Sequence, residues 1–109
     1  MKLVIVIVQD KDAPKLLDHL TADGIQVTKL ASTGGFLKEG NTTLMIGVEE
    51  ERLDFVIDTV KKHCHAREQL VTPLTSVVGS MDAYMPYPVE VQVGGATIFV
   101  LPVERFEKA

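Results

Sequence analysis

The sequence predicts an α+β domain in which two helices cover one face of an antiparallel sheet. Three patterns carry this prediction: a β-branched run near the N-terminus, two amphipathic helical stretches, and later segments in which apolar residues alternate. A chain of 109 residues with 46% hydrophobic residues is long enough for one packed core and short for two. We therefore expect a single domain over residues 1–109.

The first part of the chain is typical of a strand, a helix and a second strand. Residues 3–8 are Leu-Val-Ile-Val-Ile-Val, which predicts a strand buried on both faces. Asp12 can cap the following helix, which should end near Asp23-Gly24 because glycine suits a left-handed exit. Residues 25–31 are the second predicted strand.

A third strand and a second helix follow a glycine-containing loop. The strand alternates apolar residues from Leu44 to Val48. The helix is the clearest element, because its apolar side chains recur at helical spacing and form one stripe: Leu53, Val56, Ile57, Val60 and Cys64.

The C-terminal part is predicted to be a long connection and a hairpin. Residues 66–88 show no sustained period, and long connections of this kind are usually functional or mobile. Residues 89–93 and 96–101 indicate two strands turned by Gly94-Gly95. The order is β-α-β-β-α-β with an additional C-terminal strand, which is the ferredoxin-like arrangement.

One face of this predicted sheet has no cover within the chain. The first strand is apolar on both faces, and Phe99 and Leu101 alternate with Ile98 and Val100. Two helices can cover only one face, so we expect the chain to associate with copies of itself. Strand geometry leaves the number of subunits open.

Charge and cysteine content narrow the class of protein. The formal net charge is −4 and the eleven basic residues are scattered, so binding of nucleic acid is not expected. The single cysteine, Cys64, fits a reducing compartment. The apolar residues 1–8 are too short to span a membrane and lack a basic leader. We expect a cytoplasmic protein without membrane insertion.

The segment from Ser32 to Asn41 is the strongest local indication of a binding site. Gly34 and Gly35 let successive backbone N–H groups converge on an anion, and Phe36 offers a ring on which a nucleobase can stack. Asn41 offers a donor and acceptors for a base edge. The alternative is a plain turn in which Phe36 packs on the core.

Two residues of neighbouring strands extend this candidate site. Thr28 can donate a hydrogen bond, and Gly47 interrupts a strand interior, where a ligand or another backbone often approaches closely. The glycines match neither the dinucleotide fingerprint nor the P-loop.

Residues 63–65, His-Cys-His, look like a metal cluster, but helical geometry points the two imidazoles to different faces. Cys64 completes the apolar stripe and is expected to behave as a small buried hydrophobe. No serine lies in a G-x-S-x-G elbow. We expect no catalytic residue, no metal and no cofactor, although a metal site shared between subunits stays open.

Several segments are similar to one known family, and together they run almost from end to end. They are residues 5–10, 28–37, 40–43, 67–71, 86–91 and 94–103. The chain resembles the PstA/DarA family of PII-like cyclic di-AMP receptors. The resemblance implies a homotrimer of ferredoxin-like (PII-like) subunits with one cyclic di-AMP in each cleft between neighbours.

The resemblance also implies a role and a set of ligand residues. The family is similar to PII in relaying ligand state to a partner protein rather than catalysing a reaction, here through the loops 34–41 and 66–88. No motif indicates which downstream protein is the partner. In this family the ligand is held by residues that match Thr28, Gly35, Phe36, Leu37, Asn41 and Gly47 of this chain.

The chain departs from the family at three positions. Family members often carry Asn and Arg where this chain has Gly24 and Gln26, and Gln where it has Lys108. Gln26 in place of Arg removes a permanent charge and a bidentate fork beside a dianionic ligand, whereas Lys108 adds a flexible point charge. Gln26, Gly34 and Lys108 are secondary candidates for the site, and weaker affinity or another cyclic dinucleotide would follow from these departures.

Three alternatives stay open. A PII-like sensor of ATP or ADP would need basic residues for the triphosphate, and none cluster beside Gly34-Gly35. A metal-binding trimer similar in fold to the CutA proteins would use His63, Cys64 or His65. A trimer that has lost its ligand is suggested only by the three departures.

Overall fold

The computed structural model describes residues 1–33, 40–71 and 89–109. In chain order the elements are β1 (Lys2–Gln9), α1 (Ala13–Ala22), β2 (Val27–Thr33), β3 (Asn41–Val48), α2 (Glu50–Cys64), β4 (Arg67–Val71), β5 (Val89–Val93) and β6 (Ala96–Pro102). The connection expected at 66–88 therefore contains a strand at its start. The rest of that connection, residues 72–88, lies outside the described residues, as do residues 34–39.

Four strands form an antiparallel sheet in the order β2-β3-β1-β6. The β-branched strand β1 is central, since Ile5 lies opposite Met45 of β3 on one side and Phe99 of β6 on the other. This arrangement confirms the predicted α+β, ferredoxin-like (PII-like) class. The fourth position of the sheet is taken by β6.

Helices α1 and α2 cover one face of the sheet and form the core with it. Along β1 the residues Val4, Val6 and Val8 are buried, whereas the residues between them are only partly buried. The described residues therefore bury one face of β1, and burial of its second face stays a prediction that depends on association of chains. The core residues are Val4, Val6, Val8, Ala13, Leu16, Leu20, Ile25, Leu44, Ile46, Val48, Val56, Val60 and Cys64.

The pairing predicted for the C-terminal hairpin is wrong. Strand β5 pairs with β4 in a separate two-stranded sheet, and β6 pairs with β1. Gly94 and Gly95 connect the two sheets with φ angles of 80° and 99°, a backbone conformation that residues with a side chain rarely adopt. Two alternating segments around Gly-Gly are equally compatible with a hairpin and with a crossing between sheets, so the local pattern did not identify the partner.

The start of α1 differs from the sequence prediction in one detail. The helix begins after Asp12, but the Asp12 side chain makes no capping hydrogen bond. Its carboxylate instead accepts hydrogen bonds from the Arg67 guanidinium, with N–O distances of 3.0 and 3.4 Å. This ion pair joins α1 to β4. At its other end α1 stops as expected, and Gly24 has a φ of 79°.

No segment among residues 1–33, 40–71 and 89–109 covers the second face of the four-stranded sheet, and we call it the open face. Strand register places three large apolar residues on this face: Leu30 of β2 and Phe99 and Leu101 of β6. They are 40%, 50% and 42% exposed, respectively.

Within the described ranges, no helix is long and apolar enough to cross a bilayer.

Candidate ligand-binding site

The structure describes only part of the predicted ligand set. Gln26, Thr28, Asn41, Gly47 and Lys108 are described. The remaining candidates lie outside the described residues: Gly34, Gly35, Phe36 and Leu37.

A hollow of about 390 Å³ lies at one end of the open face and brings together four of these candidates. We call it the β2–β3 hollow. Its lining consists of Met1, Gln26, Thr28, Met45, Gly47, Phe106 and Lys108. An adjoining space of about 300 Å³ shares five of these residues and extends to Leu3 and Val103. The volume of the β2–β3 hollow lies in the lower part of the range that is usual for small-molecule pockets.

Strand register builds the floor of the β2–β3 hollow. Thr28 lies opposite Met45, and Leu3 lies opposite Gly47. Since the intervening β3 residue, Ile46, is buried against the helices, Met45 and Gly47 face the open side. A Cβ atom added to Gly47 would meet no atom within 4 Å. The floor is therefore flat at Gly47, and the space above it is free.

The wall of the hollow comes from the chain after β6. The backbone N–H of Val103 donates a hydrogen bond to the carbonyl oxygen of Met1 at 3.3 Å, which holds the start of this segment beside β1. Phe106 and Lys108 follow and line the hollow. The Phe106 side chain is 63% exposed, a large fraction for an apolar ring. Lys108 adds a positive charge at the same place.

Phe106 is a candidate that the sequence analysis missed. It lies beyond the last predicted strand, where no periodicity indicates which way a side chain points. One feature of the sequence could have identified it: Phe106 is an aromatic residue two positions before Lys108, and the family resemblance makes Lys108 a candidate for the site.

Asn41 lies away from the β2–β3 hollow in the same chain. It begins β3, six residues before Gly47, which corresponds to about 20 Å along an extended strand. A second hollow of about 290 Å³ surrounds it, lined by Ile7, Val8, Gln9, Asn41, Gly94, Gly95, Ala96 and Thr97. The structure therefore does not bring Asn41 to the other described candidates within one chain.

Gly94 lies between the hollow at Asn41 and the start of β4. Its N–H donates a hydrogen bond of 2.8 Å to the Gln9 side-chain oxygen. The Arg67 guanidinium also lies against Gly94, since a Cβ added there would clash with Arg67 Nη1. Arg67 itself donates to the His65 carbonyl at 3.0 Å. The hollow at Asn41 and the first residue of β4 are thus both in contact with Gly94.

The residues His63, Cys64 and His65 do not converge. The His63 ring stacks on His19 of α1 with 3.8 Å between ring centroids, and His65 Nδ1 lies 3.3 Å from the Lys62 carbonyl. Cys64 is buried, and burial together with the nearby Asp12 carboxylate raises the pKa of its thiol to about 11 despite the opposing charge of Arg67. In the part of the chain that the structure describes, no three His, Cys, Asp or Glu side chains are grouped to hold a metal ion.

Comparison with known proteins identifies the family of this chain. The family model of the cyclic-di-AMP receptors matches residues 1–109. A crystal structure of a functionally unknown protein from Pediococcus pentosaceus is 51% identical in sequence, with a TM-score of 0.78. That match covers 99% of this chain and 96% of the other. The match to the family model over residues 1–109 confirms the resemblance found in the sequence, and the chain belongs to the cyclic-di-AMP receptor family.

Proposed function

We propose that this chain is a PII-like signalling protein that binds cyclic di-AMP in clefts between the subunits of a homotrimer. The observation that carries the proposal is the β2–β3 hollow, where Thr28, Gly47, Gln26 and Lys108 converge. It combines an apolar floor with hydrogen-bonding groups and one positive side chain. The apolar floor and the hydrogen-bonding groups suit a nucleobase, and the positive side chain suits a phosphodiester.

The separation of the two hollows supports a site made by two subunits. Asn41 and Gly47 lie at opposite ends of β3, about 20 Å apart on strand geometry. One compact ligand contacts both positions most simply when each comes from a different chain. The exposed apolar side chains of the open face, Leu30, Phe99 and Leu101, support association of such chains.

The contacts of Gly94 support a relay from the ligand to the 66–88 segment. Asn41 closes the 34–41 loop, and its hollow includes Gln9 and Gly94. Gly94 in turn lies against Arg67, which begins β4 and is paired with Asp12. In this proposal, ligand bound near Asn41 changes the conformation of 66–88, which is then recognised by a downstream protein. The role is signalling in the cytoplasm, without catalysis.

Calorimetric titration with cyclic di-AMP tests the proposal, with cyclic di-GMP and ATP as comparison ligands. We expect selective binding with one cyclic di-AMP per subunit. Absence of heat with cyclic di-AMP would contradict the proposal, and selective binding of ATP would favour a mononucleotide sensor instead.

A variant of Gly47 tests whether the β2–β3 hollow is the site. Gly47→Val should fill the hollow and abolish binding without disturbing the fold, because its Cβ meets no atom within 4 Å and its φ is not in the left-handed region. Thr43→Val is the matched control, since Thr43 lies on the same face of β3 but outside the hollow. The trimer mass of both variants should equal that of the natural chain. Full binding by Gly47→Val would place the site elsewhere.

A further inference from the structure

We infer that Phe106 is the stacking platform for one adenine base of the ligand. The inference rests on the proposed function and adds to it a residue that contacts the base. It starts from the unusual position of an apolar ring: Phe106 is 63% exposed, yet it borders both the β2–β3 hollow and the adjoining space.

The lining opposite Phe106 fits a flat, partly polar ring. Gly47 leaves the floor without a side chain, and Met45 beside it offers a polarizable thioether that packs well against aromatic rings. Thr28 and Gln26 provide hydrogen-bonding groups at the edge. A base between Phe106 and this floor would bury both of its faces, which is the usual way that proteins hold an unpaired nucleobase.

Lys108 indicates where the sugar-phosphate part of the ligand lies. It is two residues from Phe106 and borders the same hollow as Gln26 and Thr28. A base stacked on Phe106 therefore has a cation nearby for its phosphodiester. This combination of ring, base-edge groups and ammonium fits a nucleotide-like ligand.

The other described phenylalanines do not offer this surface. Phe99 is on the open face but does not border the hollow, and Phe55 lies on α2 with the Arg52 guanidinium 5.3 Å from its ring centroid. Phe106 is thus the phenylalanine of the described chain that is available to a ligand in the β2–β3 hollow.

The chain has no tryptophan, so Phe106→Trp introduces a single indole at the proposed stacking position. We expect titration with cyclic di-AMP to change the fluorescence of this variant, saturating at the same ligand concentration as the calorimetric signal. Phe55→Trp is the control, because that ring is 41% exposed but lies on α2, away from the hollow. Its fluorescence should not respond.

Affinity gives a second readout. Phe106→Leu keeps an apolar side chain and removes the ring, and we expect the dissociation constant for cyclic di-AMP to rise about ten-fold, the usual effect of losing one base–aromatic contact. Phe106→Tyr should bind like the natural chain. The mass of each variant in solution must remain that of the natural assembly.

The outcomes separate this inference from the proposed function. If the natural chain binds cyclic di-AMP, unchanged affinity in Phe106→Leu together with a silent Phe106→Trp overturns the inference and leaves the proposed function intact. Loss of affinity accompanied by loss of the assembly would assign Phe106 to a subunit contact and also overturn it. If the natural chain does not bind cyclic di-AMP, the proposed function fails and the inference fails with it.

Discussion

Gln26 and Lys108 border the same hollow, although they are near opposite ends of the sequence. The resemblance to the family implies Arg at position 26 and Gln at position 108, so both residues are expected departures, and they border one hollow. The positive charge expected just before β2 is absent, and Lys108 of the C-terminal segment supplies one instead. The net charge of the site is therefore kept, but its hydrogen-bonding geometry is not. An ammonium cannot form the bidentate contact of a guanidinium.

This relation predicts opposite effects of two substitutions. Gln26→Arg should tighten binding of cyclic di-AMP, and Lys108→Ala should weaken it, each by about three- to ten-fold since charged hydrogen bonds contribute on the order of 1 kcal/mol or more. Titration calorimetry at low and high salt measures both, and the differences should shrink at high salt.

Lys11→Ala serves as the control for net charge, because Lys11 is exposed and does not border the hollow. It should bind like the natural chain at either salt concentration. Equal affinity of Lys108→Ala and the natural chain would show that Lys108 does not contact the ligand.

Individual residues show which features a local sequence pattern can predict and which it cannot. Gly47 was recognisable because a glycine inside an alternating strand breaks a local rule, and the structure shows free space above it. Phe106 breaks no local rule, and only the position of the C-terminal segment beside β1 brings it to the hollow. Asp12 was predicted as a helix cap from its position, yet Arg67 from a distant strand is its partner.

The two helices are joined on their outer side by a pair of histidines. The rings of His19 on α1 and His63 on α2 are stacked with an interplanar angle of 15°. The pKa of His63 is lowered from its ordinary value of 6.5, chiefly because burial removes water from the ring and further because of the charges of His19, Lys62 and Lys15. Protonation of His63 is thus less favourable in the folded chain than in the unfolded chain.

This pair predicts a loss of stability in mild acid. Below about pH 6.5, residue 63 binds a proton more readily in the unfolded chain than in the folded chain. The free energy of unfolding therefore falls as the pH drops through that value. Thermal unfolding of the natural chain should show a lower melting temperature at pH 5.5 than at pH 7.5. His63→Gln should show a smaller difference.

His65→Gln is the matched control, since His65 is the neighbouring histidine at the end of α2 but its ring lies at the Lys62 carbonyl instead of against another ring. A pH difference reduced to the same extent as in His63→Gln would show that the acid effect does not depend on the stacked ring. A His63→Gln variant with the full acid effect would assign the effect to other groups.

At the scale of elements, periodic segments were predicted well and strand partners were not. The apolar stripe predicted for α2 is found there, with Val56, Val60 and Cys64 buried. The two C-terminal strand segments were also identified, but β5 pairs with β4 and not with β6. Strand β4 itself was missed, because residues 67–71 alternate weakly and their pairing partner lies far along the chain.

Across the whole molecule, the open face is the surface that no described segment covers. Phe99 and Leu101 of β6 lie beside Leu3 and Ile5 of β1 on this face, and the core shared with the two helices lies on the other face. Exposed apolar surface of this kind is typical of a contact between protein chains. The proposed trimer would bury it.

The open face predicts that one charge disrupts the assembly. Phe99→Glu should lower the mass in solution from that of three chains toward that of one, because burying an unpaired carboxylate in an apolar contact is unfavourable. Light scattering coupled to gel filtration measures the mass. Far-UV circular dichroism should remain that of a folded chain, since Phe99 is half exposed and outside the core.

Phe55→Glu provides the comparison, because Phe55 is similarly exposed, at 41%, but lies on α2. It should keep the mass of the natural assembly. If Phe99→Glu also keeps that mass, the open face is not the contact between subunits.

The sequence by itself determined the helices, the alternating strands and the buried stripe, because each depends on the spacing of residues two to four positions apart. It also determined the family, through segments that match along almost the whole chain. The tertiary structure decided which strands pair, that Asp12 binds Arg67, and that Phe106 joins Gln26, Thr28 and Lys108 around one hollow. Those choices depend on packing between distant segments, which local patterns do not encode.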